Sequence, residues 1–160
     1  MKNKMESNKR NKVLNRKRVD IVSIKMIRES SILYENRKIS SPKDAVELLK
    51  KFLDGADREQ FITCCMDTKN QPTSINVVSV GTINSSLVHP REVFKTAILG
   101  NSSSIIVAHN HPSGDPLPSK EDIDITQRLK EAGKIIGIDV IDHVIIGEDR
   151  YVSLKEKGVV

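Results

Sequence analysis

Two histidines separated by one residue mark the part of the chain where side chains could do chemistry. His109 and His111 stand where the apolar segment SIIVAH meets the loop NHPSGDPLP. SIIVAH is too short and too rich in β-branched residues for a helix, so we expect a strand. Residues two apart in a strand point to the same face, which brings both imidazoles together. Since imidazole nitrogen is a frequent zinc ligand, the pattern predicts a metal site.

Asp122 is the expected third ligand of this site. It lies on the stripe of a predicted helix that continues through Ile125 and Leu129, so its carboxylate should face the core. An unpaired carboxylate there would be costly, whereas a metal at the strand end would pair with it. Two imidazoles and one carboxylate leave zinc one open position, which is the composition of a catalytic site. Ser119 and Asp122 also form a Ser-x-x-Asp helix cap, which is compatible with metal binding.

Other metal-dependent classes are excluded by their signatures. The chain has neither the His-x-Glu and Pro-Cys-x-x-Cys pair of zinc deaminases nor the His-Glu-x-x-His helix of thermolysin-type peptidases. The letters His109-Asn110-His111 also spell the name of a nuclease motif. The residues of that motif lie on separate elements of a ββα unit, so we interpret the spelling as a coincidence.

Strands and helices alternate around the predicted metal site. Strands are expected over VDIVSIKMI, which should be buried on both faces, and over FITCCMD, TSINVVSVGT, SIIVAH, IDVIDHVII and YVSL. FITCCMD and TSINVVSVGT are expected to pair antiparallel. Helices should begin after Ser41, at His89 and at Ser119, and the third should run to about Gly133. This alternation predicts an α/β or α+β domain with a mixed sheet.

The basic residues are concentrated at the start of the chain. The net charge is +5, yet residues 1–18 hold eight Lys or Arg against Glu6 alone, a surplus of seven that leaves −2 for the remainder. We expect 1–18 to be a solvated, disordered leader, 19–40 an N-terminal strand region and 41–160 the domain. The leader could hold nucleic-acid phosphates weakly. With two Tyr, three Phe and no Trp, surfaces for base stacking are scarce.

The cysteines and the hydropathy pattern indicate a cytoplasmic protein. Cys64 and Cys65, the two cysteines of the chain, are adjacent in an apolar strand, so we expect core thiols in a reducing compartment. The basic start lacks the apolar middle of a secretory signal. No apolar run approaches the ~20 residues that span a bilayer, so no membrane partner is expected.

The spacing of these residues is similar to a known motif. His109, His111, Ser119 and Asp122 match the JAMM motif of the JAB/MPN metalloprotease superfamily. More narrowly, VGTINSSLVHPREVF, IIVAHNHPSGDPLPSKED and DHVIIGEDRYVSL resemble the RadC-like branch. The resemblance covers about residues 41–160. It implies a JAB/MPN-type mixed curved β-sheet flanked by helices, with one zinc per chain held by the two histidines, Asp122 and a water.

The same resemblance implies a catalytic role for Glu59, as the base that orients and deprotonates the water. Ser119 is expected to point its hydroxyl at the substrate and stabilise the oxyanion. Glu92 is the rival carboxylate, but it lies in the first turn of a predicted helix, where it needs no catalytic explanation. His143 is expected to pack or to make a hydrogen bond, and His89 to belong to a helix entry.

These residues predict a zinc-dependent hydrolase, in particular a metallopeptidase or isopeptidase acting on a peptide or protein substrate. The first alternative is a DNA-associated accessory protein of the RadC-like family, with a DNA-repair or mobile-element role, that keeps a zinc fold and binds phosphates through its basic leader. The second is an inactive scaffold with a structural metal. Longer RadC-like proteins carry an N-terminal helix-hairpin-helix region for which we expect no counterpart in this sequence, so the family name alone does not carry a repair role over to this chain.

Overall fold

A mixed sheet and three helices form the folded part of the chain. In the computed structural model, which describes residues 17–83 and 88–160, the strands are β1 (Gln60–Met66), β2 (Pro72–Val80), β3 (Ser104–Asn110), β4 (Asp139–Ile146) and β5 (Tyr151–Ser153). The helices in these ranges are α1 (Pro42–Leu53), α2 (Pro90–Leu99) and α3 (Lys120–Ile136). The predicted mixed sheet is confirmed.

The strand order places the start of β1 beside the end of β3. The order is β2-β1-β3-β4-β5, in which β1 is antiparallel to both neighbours, β3 and β4 are parallel, and β5 is antiparallel to β4. The parallel pair is connected through α3, because parallel neighbours need a crossover. Phe61 pairs with His109 in the register of β1 and β3. The residues just before β1 therefore lie beside those just after β3.

Both faces of the central strands are buried. The α2 and α3 side holds a cluster that includes Phe61, Phe94 and Leu129, whereas the α1 side holds one that includes Leu49 and Ile62. Strands covered on both faces consist almost entirely of apolar residues, which explains the composition of β1 and β3. The two layers hold the strand ends, and the site residues on them, in place.

The adjacent cysteines of β1 point to opposite faces of the sheet. Cys64 belongs to the cluster under α1 and Cys65 to the cluster under α2 and α3. Both are fully buried free thiols, and burial raises the pKa of Cys64 to about 12. The prediction of core thiols is confirmed, and such protonated thiols are poor nucleophiles.

Helix starts were predictable, but the end of α3 was not. Ser41 and Ser119 are N-caps with complete capping boxes. The expectation that α3 ends near Gly133 is wrong, because the helix continues to Ile136 and is closed by Gly137 in the left-handed region, at φ 81°. Gly133 serves close packing instead, since a Cβ there would lie 2.5 Å from the carbonyl oxygen of Ile138.

The expected strand over residues 19–27 is also wrong. Residues 17–33 form no regular secondary structure, and large apolar side chains such as Val19, Ile21 and Ile27 are exposed instead of buried on both faces. Apolar alternation produces a strand only where a neighbour pairs with its backbone groups. Within the described ranges no strand pairs with this segment. Residues 1–16 of the predicted leader lie outside the described residues.

No helix in the described parts of the chain combines the length and the apolar character that a membrane crossing requires. The longest, α3, has 17 residues and a polar face with several charged side chains.

Candidate metal centre

The two histidines predicted as ligands converge at the end of β3. His109 is a residue of β3 and His111 follows the strand, and their Nε2 atoms lie 2.9 Å apart. The His109 side chain is fully buried, whereas that of His111 is 16% exposed. Two imidazole nitrogens thus face one point at the edge of the sheet. Of the two rings, only that of His111 is accessible to solvent.

Asp122 approaches this point from the first turn of α3. Its Oδ1 lies 3.2 Å from His109 Nε2, and its Oδ2 lies 3.8 Å from His111 Nε2. The helix orients the carboxylate because Asp122 is its third residue and forms the capping box with Ser119. Its Oδ2 accepts hydrogen bonds from the backbone N–H and the hydroxyl of Ser119, both at 2.7 Å.

The environment of Asp122 favours its charged form. Burial raises the pKa of this carboxyl, but the adjacent His109 ring and the hydrogen bonds from Ser119 outweigh burial and hold the pKa well below its usual value. The carboxylate is therefore available as an anionic ligand at neutral pH.

Glu59 reaches the same point from the other side, immediately before β1. Its Oε1 lies 3.9 Å from Nε2 of both His109 and His111. Its Oε2 accepts a hydrogen bond from the backbone N–H of Ile83 at 3.3 Å. The ligand atoms of Glu59 and the two histidines all lie within 4.8 Å of one another, so this trio could itself hold a metal ion.

The distances distinguish the two carboxylates. Asp122 is nearer to His109 Nε2, at 3.2 Å, than Glu59 is, at 3.9 Å. Asp122 is also almost completely buried, whereas the Glu59 side chain is 24% exposed. The nearer, buried carboxylate suits a ligand. The more distant one, equally far from both nitrogens, would leave space for a water between itself and a metal ion bound there.

Asn110 holds the backbone on both sides of Glu59. Its Nδ2 donates to the carbonyl of Arg58 at 3.1 Å, and its Oδ1 accepts from the backbone N–H of Gln60 at 2.8 Å. The side chain thereby continues the pairing of β1 and β3 beyond the end of the backbone ladder. Glu59 is positioned by the residue that stands between the two histidines.

Hydrogen bonds on the far side of each imidazole fix the ring orientations. His111 Nδ1 lies 2.7 Å from the carbonyl oxygen of Asp115. His109 Nδ1 lies 2.8 Å from Nε2 of His143, a residue of β4. His143 is fully buried, and burial holds its pKa well below the usual value, so its imidazole is neutral. The prediction that His143 makes a hydrogen bond is confirmed.

The donor set fits zinc. Neutral imidazole nitrogen and carboxylate oxygen are common zinc ligands, with bonds of about 2.0–2.2 Å. A carbonyl can only accept, so His111 Nδ1 carries the proton and its Nε2 directs a lone pair at the site. Lone pairs and carboxylates that point at one place repel one another, and a metal ion within reach of His109, His111 and Asp122 would relieve that repulsion.

All five residues predicted for the site lie together in the structure. Ser119 touches the site through Asp122, because its hydroxyl proton is directed to the Asp122 carboxylate. Donation to a substrate would require that hydroxyl to change partner. The rival carboxylate, Glu92, lies outside the site and pairs with Lys95 at 2.6 Å on the surface of α2. His89 caps that helix by accepting a hydrogen bond from the backbone N–H of Arg91, as expected for a helix entry.

Sequence reasoning missed Asn110 and Thr126. The hydroxyl of Thr126 lies 2.6 Å from His143 Nδ1 and 2.6 Å from the carbonyl oxygen of Asp122. A signal was present for Thr126, which follows Asp122 by four residues on the same helix face and is fully buried. No local signal distinguished Asn110, whose partners are about 50 residues away.

The fold and the site define the class of protein. The profile of the RadC-like JAB domain family matches residues 39–159. The chain therefore belongs to the RadC-like JAB domain family, and the mixed sheet with its flanking helices agrees with the JAB/MPN fold expected from the motif.

Individual proteins similar to this chain carry the name UPF0758 protein. The one from Methanosarcina barkeri is 54% identical over 132 residues, which are 82% of this chain and 58% of that protein. Those from Desulfitobacterium hafniense and Clostridium botulinum are each 56% identical, over 121 and 123 residues, covering 76% and 77% of this chain and 53% and 54% of theirs. The chain spans little more than half the length of these relatives, and their name states no activity.

Proposed function

We propose that this chain is a zinc-dependent hydrolase that cleaves amide bonds in a peptide or isopeptide substrate. The observation that carries the proposal is the convergence of a buried His-His-Asp set with a second, partly exposed carboxylate, Glu59, on one point. A closed structural zinc site is satisfied by four protein ligands. Three ligands beside an uncommitted carboxylate favour a catalytic site.

His109, His111 and Asp122 would hold the zinc, one ion per chain. When bound, zinc supplies Lewis acidity, which lowers the pKa of a coordinated water to about 7 and polarises a carbonyl group. The partial exposure of His111 and Glu59, at 16% and 24%, supports access of a substrate from that side.

Glu59 carries the proton transfers in this proposal. Its Oε1 accepts a proton from the water whose oxygen attacks the carbonyl carbon, and the same carboxyl then gives that proton to the nitrogen as the carbon–nitrogen bond breaks. The products are a carboxylate and an amine. The hydrogen bond from Ile83 to Oε2 and the Asn110 contacts hold Oε1 toward the histidines during these steps.

Ser119 orients the Asp122 carboxylate, and its hydroxyl, once released from Asp122, would donate to the developing oxyanion. We place the reaction in the cytoplasm, since two buried free thiols support a reducing compartment. The alternative of a DNA-associated accessory protein depends on leader residues 1–18, of which the structure describes only Lys17 and Arg18.

The test is hydrolysis of a peptide and isopeptide library by zinc-loaded protein. Cleavage should stop on chelation and return with zinc. Glu59→Gln should keep the zinc but lower turnover by roughly 100-fold to 10,000-fold, because it removes the base alone. The matched control is Glu92→Gln, which changes a carboxylate on the surface of α2 and should leave turnover unchanged.

Equal turnover of Glu59→Gln and the unmodified protein would contradict the proposed base. A nucleic-acid panel run in parallel tests the substrate class. Zinc-dependent cleavage of nucleic acid that is abolished by Glu59→Gln, with no peptide cleaved, would replace the peptidase proposal by another metal-dependent hydrolase.

A further inference from the structure

We propose that Thr126 and His143 form a hydrogen-bond relay that sets the tautomer of His109 and so directs its Nε2 lone pair at the metal. The relay runs from the carbonyl of Asp122 through Thr126 and His143 to His109, and its steps measure 2.6, 2.6 and 2.8 Å. The inference rests on the proposed role of His109 as a zinc ligand. It assigns both other residues as positioning residues, since neither faces the metal.

The direction of the relay is fixed at its first step. A backbone carbonyl can only accept, so the Thr126 hydroxyl must donate its single proton to the Asp122 oxygen. With that proton used, the hydroxyl oxygen can only accept from the imidazole of His143 at 2.6 Å. His143 therefore carries its proton on Nδ1.

The next steps follow from the chemistry of a neutral imidazole, which has one donor and one acceptor nitrogen. Because His143 donates from Nδ1, its Nε2 is the acceptor. His109 Nδ1, 2.8 Å away, must then be the donor. A neutral His109 with its proton on Nδ1 has a free lone pair on Nε2, which is the atom that faces His111 and Asp122.

The relay also holds three elements of the fold at fixed positions relative to one another. It joins α3, β4 and β3, because Thr126, His143 and His109 lie on these three elements in turn. Both of its ends are residues of the metal site, Asp122 through its carbonyl and His109 through its ring. Phe61 stacks on the His109 ring at a centroid distance of 5.9 Å and meets the His143 ring edge-on at 5.4 Å, so one aromatic side chain contacts both histidines.

His111 has the same tautomer without a relay, since its Nδ1 donates a hydrogen bond directly to the Asp115 carbonyl at 2.7 Å. The loop after β3 supplies that acceptor. His109 is buried between strands whose own carbonyls are used in the ladder, so side chains supply its acceptor. A backbone carbonyl thus sets the tautomer of both histidines. For His111 the contact is direct, whereas for His109 it passes through the side chains of Thr126 and His143.

The first experiment measures the tautomers directly. The chain has four histidines, so nitrogen-15 labelling of histidine and long-range proton–nitrogen correlation spectra resolve each ring. In metal-free protein at neutral pH, we expect His143 with its proton on Nδ1 and a bare Nε2. The result that overturns the relay is His143 with its proton on Nε2, because His109 Nδ1 would then have to be the acceptor.

The second experiment measures zinc affinity by competition with a chelator. Thr126→Val keeps the side-chain shape but removes the hydroxyl, and we expect zinc affinity to fall by about 10-fold to 100-fold, as for other groups that orient a ligand. The nitrogen-15 spectra should then show mixed tautomers for His143. Thr126→Ser restores the hydroxyl and should restore both properties.

Thr63→Val is the matched control. Thr63 is a fully buried threonine of β1 whose hydroxyl has no hydrogen-bond partner, so the same exchange there should leave zinc affinity and tautomers unchanged. Unchanged affinity in folded Thr126→Val, or equal losses in both valine variants, would overturn the relay.

The two proposals fail in different ways. If the unmodified protein binds no zinc, the proposed function fails while the tautomer of His143 still decides the relay. If it binds zinc and cleaves its substrate but shows His143 with its proton on Nε2, the relay alone fails.

Discussion

The two histidines of the site are held in different ways. His109 is fully buried, and its ring is bound to His143 in the core, whereas His111 is partly exposed and is bound to the Asp115 carbonyl in the loop after β3. The two carboxylates divide in the same manner, since Asp122 is buried and Glu59 is partly exposed. We call His109 with Asp122 the buried half of the site, and His111 with Glu59 the open half.

The difference between the halves separates two tasks. Core elements fix the buried half, so changes there should affect folding as well as metal binding. Loops and strand ends fix the open half, where changes should affect chemistry with less effect on folding. On the proposed function, such a site would bind its metal on the rigid side and receive its substrate on the other.

The largest expected effect is complete loss of zinc from either half. His109→Ala and His111→Ala each remove a ligand, so both should lower bound zinc from about one per chain to nearly none. Only His109→Ala should also destabilise the metal-free protein, by about 2 kcal/mol or more, because it leaves a cavity and an unpaired Nε2 on His143. Elemental analysis and denaturant unfolding measure the two effects.

Equal unfolding free energies for the two metal-free variants would break the distinction between the halves. Asp122→Ala is expected to behave like His109→Ala, because its carboxylate is buried and holds Ser119 at the start of α3. Full zinc occupancy in any of the three variants would remove that residue from the site.

An intermediate effect is expected within the open half, from Asn110→Ala. The change removes both hydrogen bonds that hold the backbone around Glu59, so the base loses its position while the ligands stay. Turnover should fall roughly 10-fold to 100-fold with zinc content unchanged, in line with the cost of misplacing a catalytic group. Asn76→Ala, on the edge strand β2, is a suitable control. Loss of zinc from Asn110→Ala would show that Asn110 supports the ligands instead.

The smallest effect is expected where the cap and the site overlap. Ser119→Ala removes the hydroxyl that caps α3 and touches Asp122, which should cost about 1 kcal/mol of stability without emptying the site. Ser41→Ala removes the equivalent cap of α1, remote from the metal, and controls for capping alone. A loss of turnover in Ser119→Ala but not in Ser41→Ala would assign the difference to the site. Equal turnover in both would limit Ser119 to capping.

Local patterns predicted most of the fold and the residues of the candidate site. The caps of α1 and α3 and the two-residue spacing of His109 and His111 depend on neighbours within a few positions. Their geometry follows from the period of a single helix or strand. The strands were predictable for the same reason, because both faces of β1 and β3 are apolar.

The features that escaped prediction depend on distant partners. Asn110 contacts the start of β1, and Thr126 contacts β4, so neither role follows from local spacing. Residues 19–27 have the apolar alternation of a strand but no pairing neighbour among the described residues. Gly133 is of the residue type that often ends a helix, yet here it lies within the helix and allows the backbone of Ile138 to pack closely against it.

The most direct test of the central claim is the position of the metal in crystals of zinc-loaded protein, located by anomalous diffraction at the zinc edge. The account predicts one peak per chain within about 2.0–2.2 Å of His109 Nε2, His111 Nε2 and an Asp122 oxygen, with Glu59 farther away. A peak coordinated by Glu59 in place of Asp122 would contradict the assigned roles of the two carboxylates. The absence of a peak at this site would contradict the metal centre itself.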